Sequence, residues 1–256
     1  MAKTQSDFSE KFKPKSPSKS IDPRSLRNEI LLSLPPKESA AVLGELEFVE
    51  MHAYDLLNEM GEAIEFCYFM NSGMASILTI MGDGKGVEVG LTGKEGFIGL
   101  PATVGFRTSA TRAVVQITGT AYRLRTEKLL PTLAKCPQLC KRLNRYSQEL
   151  AMQATQVAAC NRLHDVGARL ARWLLMSQDR VGGEIVPLTQ EFLSHMLGTR
   201  RASVTVAAGL LQKAGLIKYT RGSVTIVDRR KLEAAACECY TIINRQSQNW
   251  RNEAQA

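Results

Sequence analysis

The spacing of apolar residues changes character three times along the chain. Between Asn28 and Gly44, the residues Ile30, Leu31, Leu34, Val42 and Leu43 surround a Pro35-Pro36 break, which predicts two short helices. From 48 to 125, β-branched and aromatic runs are cut into strand-length pieces by Gly61, Ser72-Gly73, Gly82-Asp83-Gly84, Gly93, Gly96, Gly99, Gly105 and Gly119. Apolar residues alternate in Phe66, Tyr68 and Met70, in Val87, Val89 and Leu91, and in Val115 and Ile117. Short strands at regular intervals predict an antiparallel sandwich or roll.

After Pro137 the period becomes helical. Leu139, Leu143, Tyr146, Leu150, Gln153, Val157, Cys160 and His164 follow alternating steps of four and three, a heptad seam. The pattern predicts a dimerisation helix over 137–164, with Gln153 as a register-setting amide. The same stripe would also suit a helix packed on its own domain. Asp165 then caps a further amphipathic run, Val166, Leu170, Trp173 and Leu174, which stops at Gly182-Gly183.

Leu188–Leu197 and Arg200–Ala214 are two helical patterns separated only by Gly198-Thr199. Thr189 and Thr199 are placed as N-caps, and Gly198 as the left-handed turn residue. This spacing predicts a helix-turn-helix. On the second helix Val204, Ala207, Ala208 and Leu211 form the buried stripe, leaving Ala202, Thr205, Val206, Gly209 and Lys213 outside. Arg200 and Arg201 lie in the first turn, where each positive charge opposes the helix dipole by about 0.3–1 kcal/mol. An external anion would remove that penalty. Arg200, Arg201, Ala202, Thr205 and Val206 are therefore the candidates for reading DNA bases: paired arginine donors suit guanine O6 and N7, and small apolar groups suit thymine methyls. Leu216–Tyr219 and Val224–Val227 flank a turn and predict a hairpin wing. Candidates for DNA phosphates are Thr189, Thr199, Ser203, Lys213, Lys218 and Arg221, with Arg229 beyond the wing. The order of domains expected is a disordered basic tail (1–24), a roll (25–136), the long helix (137–164), a winged helix-turn-helix (165–240) and a C-terminal tail (241–256), an α+β chain overall.

Composition sharpens this picture. The 256 residues carry 33 basic against 25 acidic side chains, a net charge of +8. Residues 21–136 hold 11 basic and 14 acidic, whereas 165–256 hold 13 and 8, so the excess sits at the helix-turn-helix end and favours a polyanion partner there. With 44% hydrophobic residues the chain can bury a core, which excludes a disordered protein. No run is long and apolar enough to span a bilayer, and none before Arg24 suits a signal peptide, so a cytoplasmic protein without a membrane partner is expected. There is no G-x-S-x-G, Walker loop, H-E-x-x-H or post-strand G-x-G-x-x-G, and no enzyme is expected. The alternative is an oligomeric sensor or scaffold whose basic half binds proteins.

The whole order, with LTQEFLSHMLGTRRASVTVAAGLLQKAGLIKY between Leu188 and Tyr219 and GKEGFIGL between Gly93 and Leu100, resembles the Crp/Fnr family of bacterial transcription regulators. The resemblance implies a cyclic-nucleotide-binding-like roll and a homodimer on a pseudo-palindromic DNA site, with RNA polymerase as a further partner. It also implies a signal at the roll that shifts the long helix and reorients the winged helices. The family's base-reading places fall on Arg201, Ala202 and Val206. The roll pocket it implies is Gly96, Phe97, Ile98, Gly99, Leu100, Arg107, Ser109 and Ala110.

The chain departs from that pattern at two positions. Members that bind cyclic AMP carry a glutamate where this chain has Phe97, and an arginine where it has Ser109; Arg107 and Arg112 are out of register. A phenyl ring cannot accept a ribose hydrogen bond, so an unidentified effector rather than cyclic AMP is expected. No cysteine precedes Cys67 to supply an N-terminal iron–sulfur cluster, and His52, His164 and His195 are poorly placed for haem. Cys136, Cys140 and Cys160 are candidate redox thiols. Cys237 and Cys239 lack neighbouring ligands in sequence, so no metal site is expected.

Overall fold

A computed structural model describes residues 25–183, 185–187, 190–220 and 222–253. The expected basic tail, 1–24, therefore lies outside the described residues. The chain forms two compact units, one running to Lys85 and from Leu91 to Gln148, the other taking Gly86–Gly90 and the residues from Glu149 onward. Among the described residues no helix is long and apolar enough to cross a membrane.

The first unit opens with α1 (Glu29–Leu32), capped by the Asn28 side chain on the Leu31 N–H, and α2 (Pro36–Leu43), with proline where the helix needs no N–H donor. Eight strands follow: β1 (Glu47–Met51), β2 (Leu56–Asn58), β3 (Phe66–Met70), β4 (Met74–Ile80), β5 (Gly86–Thr92), β6 (Phe97–Ile98), β7 (Arg112–Ile117) and β8 (Gly119–Arg125). They make two four-stranded sheets, ordered β1-β8-β3-β6 and β2-β7-β4-β5. In the first, β1 and β3 both pair antiparallel with β8, Phe48 and Phe69 each standing opposite Tyr122. Phe69, Phe97, Tyr122 and Leu124 join Ile30, Leu31 and Val42 in one core, so the short helices are held by packing rather than by their length.

Strand β5 departs from the alternation expected of it. Glu88 is 4% exposed while Val87 and Val89 are only half-buried. Its carboxylate accepts a hydrogen bond from Trp173 Nε1 at 2.8 Å, a partner that makes a buried acid tolerable. Both residues belong to the second unit.

Helix α3 (Thr126–Lys135) leads into α4 (Pro137–Leu163), the long helix expected. Its seam, however, is not an open face. Leu139, Leu143 and Tyr146 pack into the roll's own core, and Cys160 packs with Cys237 and Cys239. Gln153 and Val157 are buried and Leu150 is half-buried within the single chain. The dimer-interface expectation for Leu139, Leu143, Tyr146, Gln153, Val157 and Cys160 is corrected accordingly, because a heptad reports which stripe is buried and not what covers it.

In the second unit Asp165 caps α5 (Val166–Val181), accepting the Ala168 N–H at 3.0 Å, and Gly182 ends it at φ +73°. Next come β9 (Ile185–Pro187), α6 (Gln190–Met196), α7 (Arg201–Lys213), β10 (Ile217–Thr220), β11 (Ser223–Ile226), α8 (Arg229–Ala235) and α9 (Cys239–Glu253). The sheet order β10-β11-β9 adds a third strand to the expected hairpin. The residues expected as a C-terminal tail are instead mostly α9, whose buried side chains, Cys239, Tyr240 and Ile243, cluster in its first turns.

Candidate nucleic-acid interface

Helix α6 turns into α7 through Leu197, Gly198 and Thr199. Gly198 has φ +55°, and the Thr199 N–H closes back on Ser194 C=O at 3.0 Å, so Thr199 belongs to the turn. The N-cap of α7 is Arg200, which makes no side-chain cap bond. Thr199 is thus not the cap expected of it; the helix begins one residue later. The consequence is a helix N-terminus without a capping oxygen or an acidic residue in its first turn. Arg200 and Arg201 are exposed there, and among the described residues neither makes an ion pair.

The division of faces on α7 follows the sequence closely. Val204, Ala207, Ala208 and Leu211 are buried, while Ala202, Thr205, Val206, Gly209 and Lys213 are exposed. Ser203 is half-buried at the edge of the exposed face. Thr205 Oγ1 donates to Arg201 C=O at 3.0 Å, one helical turn back. Leu210, one turn from Val206, was missed by pattern reading; both are 64% exposed, giving the otherwise small face two apolar contacts. A face of small residues behind two cationic forks lets a helix backbone approach a groove closely.

The wing is tied to the end of α7: Tyr219 N–H donates to Gln212 Oε1 at 2.7 Å, and Val227 N–H to Leu216 C=O at 2.9 Å. Lys218 is exposed on it. Arg221 and Thr189 lie outside the described residues. Arg229 is not available to phosphate as expected: its guanidinium pairs with Asp179 at 2.7 Å and Glu233 at 2.9 Å, and bonds Gln178 and Tyr240.

In the roll, the segment expected to line a ligand pocket is filled by its own side chains. Phe97 is 1% exposed and packs on Phe69 at 4.7 Å between ring centroids, and Ile98 is equally buried. A Cβ at Gly96 would collide with the Tyr146 hydroxyl, which is hydrogen-bonded to Thr92 at 2.9 Å. Asn28 Nδ2 donates to the carbonyls of Met70 and Gly96, closing the segment from the side of α1. Gly99 is pressed against Cys67, and Leu100 is half-buried on the core. Ser109 Oγ donates to Thr111 C=O at 2.6 Å, while Arg107 and Ala110 are exposed. Phe97 and Ile98 are therefore core residues, a correction to the pocket expected of them.

The cysteines also differ from expectation. Cys136 is buried, and desolvation first, then the Glu38 charge, raises its thiol above the ordinary value, which disfavours the reactive thiolate. Cys140 is half-buried. Cys160 does not face a second chain, because its Sγ lies 3.4 Å from Cys237 Sγ of the same chain. Cys237 and Cys239 do not lack ligands either: Cys160, His164, Cys237 and Cys239 bring four ligand atoms within 4.8 Å of one another. The expectation of no metal-ligating cluster is corrected by this proximity.

Residues 168–235 match the Crp-like helix-turn-helix domain. No curated protein matches the chain in sequence. Among solved structures, FixK2 from Bradyrhizobium japonicum shares 14% identity at a TM-score of 0.65, covering 75% of this chain and 98% of that one. The c-di-GMP responsive global regulator CLP from Xanthomonas campestris shares 15% at 0.63, covering 75% and 99%. A CRP-family transcriptional regulator from Thermus thermophilus shares 18% at 0.59, covering 73% and 94%. The chain carries a Crp-like helix-turn-helix domain, and its fold is that of Crp/Fnr transcription regulators.

Proposed function

We propose that this protein is a sequence-specific DNA-binding transcription regulator that reads a pseudo-palindromic duplex as a homodimer. The observation that carries the reading is the exposed face of α7: two arginines that among the described residues have no ion-pair partner, at an N-terminus without a side-chain cap, followed by Ala202, Thr205, Val206 and Gly209. Arg201, Ala202 and Val206 are assigned to base edges, with Arg200 and Thr205 beside them. Ser203, Thr199, Lys213 and Lys218, with Thr189 and Arg221 by sequence, are assigned to phosphates. RNA polymerase is the further partner that the family resemblance brings.

The dimer this reading requires is assigned to a face of α4 left exposed among the described residues: Asn144, Gln148, Ala151, Thr155 and Ala158 follow steps of four and three. The roll is assigned a signal other than cyclic AMP, supported by the Phe97 ring packed on Phe69 and by Tyr146 against Gly96. Selection of binding sequences from a random duplex pool by the reduced, full-length protein tests the function. A two-fold symmetric motif is expected. Failure to enrich any motif, with binding only to proteins, would return the scaffold reading.

A further inference from the structure

Two pairs of residues far apart in sequence converge at the end of α4. Cys160 and His164 stand one helical turn apart, the turn being continued past Leu163 by the His164 N–H on Cys160 C=O at 3.1 Å. Cys237 and Cys239 flank Glu238 where α8 gives way to α9, and Cys237 N–H is held on Ala168 C=O at 3.3 Å. The Cys160 and Cys237 sulfurs are 3.4 Å apart, and Cys239 Sγ is 3.5 Å from His164 Nδ1. A tetrahedral zinc ion, with bonds of about 2.3 Å to sulfur and about 2.0 Å to nitrogen, needs ligand atoms about 3.5–3.8 Å apart. All four atoms already lie within 4.8 Å of one another. A two-iron cluster would divide its ligands between two metal atoms and spread them farther.

The surroundings supply what such an ion requires. Gln156 Nε2 donates to Cys239 Sγ at 3.2 Å, a bond that stabilises a thiolate. Glu238 Oε1 lies 3.9 Å from His164 Nε2, too far for a hydrogen bond but on the side of the ring away from Cys239. Arg169 and Arg172 are 6% and 2% exposed, and among the described residues the Nε of each finds no hydrogen-bond partner. Among the described residues neither makes a salt bridge, although Arg169 bonds Asn161 and Leu197 C=O and Arg172 bonds Met176 Sδ. Three thiols that lose their protons to bind a dication form a site of net charge −1, and that charge would compensate these buried cations.

We propose that Cys160, His164, Cys237 and Cys239 form a structural zinc site that clasps the end of α4 to the α8–α9 junction within the second unit. Three of the four ligands are buried and all four positions are protein-supplied, which marks a closed structural site rather than a catalytic one. The inference stands apart from DNA recognition, since it is read in metal and not in duplex binding.

The test is elemental analysis of the full-length protein, purified reduced and passed through gel filtration, together with its visible spectrum after cobalt exchange. One zinc per chain and the intense spectrum of tetrahedral thiolate cobalt are expected. Cys237→Ser should lose both. His164→Cys, which keeps four ligands, should retain the metal, as should Cys140→Ser outside the cluster; loss of metal in either contradicts the ligand set. Wild-type protein without metal that gives no thiolate spectrum with cobalt overturns the proposal. So does iron with labile sulfide, or a Cys160–Cys237 disulfide in freshly reduced protein.

Discussion

The outer face of α7 and the Gly96–Leu100 segment of the roll sit at opposite extremes of satisfaction. At α7 the arginine forks have no ion-pair partner among the described residues, no side chain caps the helix, and small residues leave the backbone approachable. Around Gly96, by contrast, Asn28 takes the carbonyl, Tyr146 closes over the Cα, and Phe97 fills the interior against Phe69. Local groups that find their partners within the chain contribute stability. Exposed groups without such partners are solvated by water, which another molecule's acceptors can replace. On the proposed reading this difference puts recognition on α7, while the roll segment serves packing, although sequence alone marks both as candidate sites.

The largest effect that would sharpen this contrast comes from the closed region. Phe97→Ala removes a fully buried ring and should cost about 3–5 kcal/mol of stability, measured by denaturant unfolding, with the selected DNA motif unchanged. A cost under about 1 kcal/mol would mean that the segment is open after all. Trp173→Phe deprives the buried Glu88 carboxylate of a donor and should cost about 1–3 kcal/mol in the same assay. An unchanged midpoint would show that water reaches Glu88.

How much of this was legible in the sequence differs from element to element. The two faces of α7 follow from the spacing of Val204, Ala207, Ala208 and Leu211, because a helix with one packed side has a strong period. The stripe on α4 was equally visible, but periodicity marks burial without naming the covering surface. Leu139, Leu143 and Tyr146 therefore read as a dimer seam while packing into their own roll. Glu88 broke the alternation of β5 because its partner, Trp173, is distant in the chain. The four metal ligands were hidden for the same reason: C-x-x-x-H on one helix and C-x-C beyond the wing are each weak, and only tertiary folding joins them. Helix α9 is polar along most of its length and buries side chains only in its first turns, so it reads as a tail.

Smaller effects probe the open region. Ala151→Glu, on the exposed stripe of α4, should shift sedimentation from dimer toward monomer; an unchanged dimer would place the interface elsewhere. Lys218→Ala should weaken binding similarly across all duplex sequences and lower the slope of log affinity against log salt by about 1. A sequence-dependent loss would move Lys218 from phosphate to base contact. Titration of cyclic AMP by calorimetry should give no low-micromolar binding, and saturable heat would reopen the roll.

The central claim, that α7 reads bases through its first turns, is tested most directly by measuring wild type and Arg201→Ala on the selected duplex and on its single-base variants at fixed salt. The account predicts a loss of about 1–3 kcal/mol on the selected sequence and relaxed discrimination at one position in each half-site, with stability unchanged. Equal weakening on every variant would contradict base reading and assign Arg201 to the phosphates. No weakening at all would remove α7 from the interface.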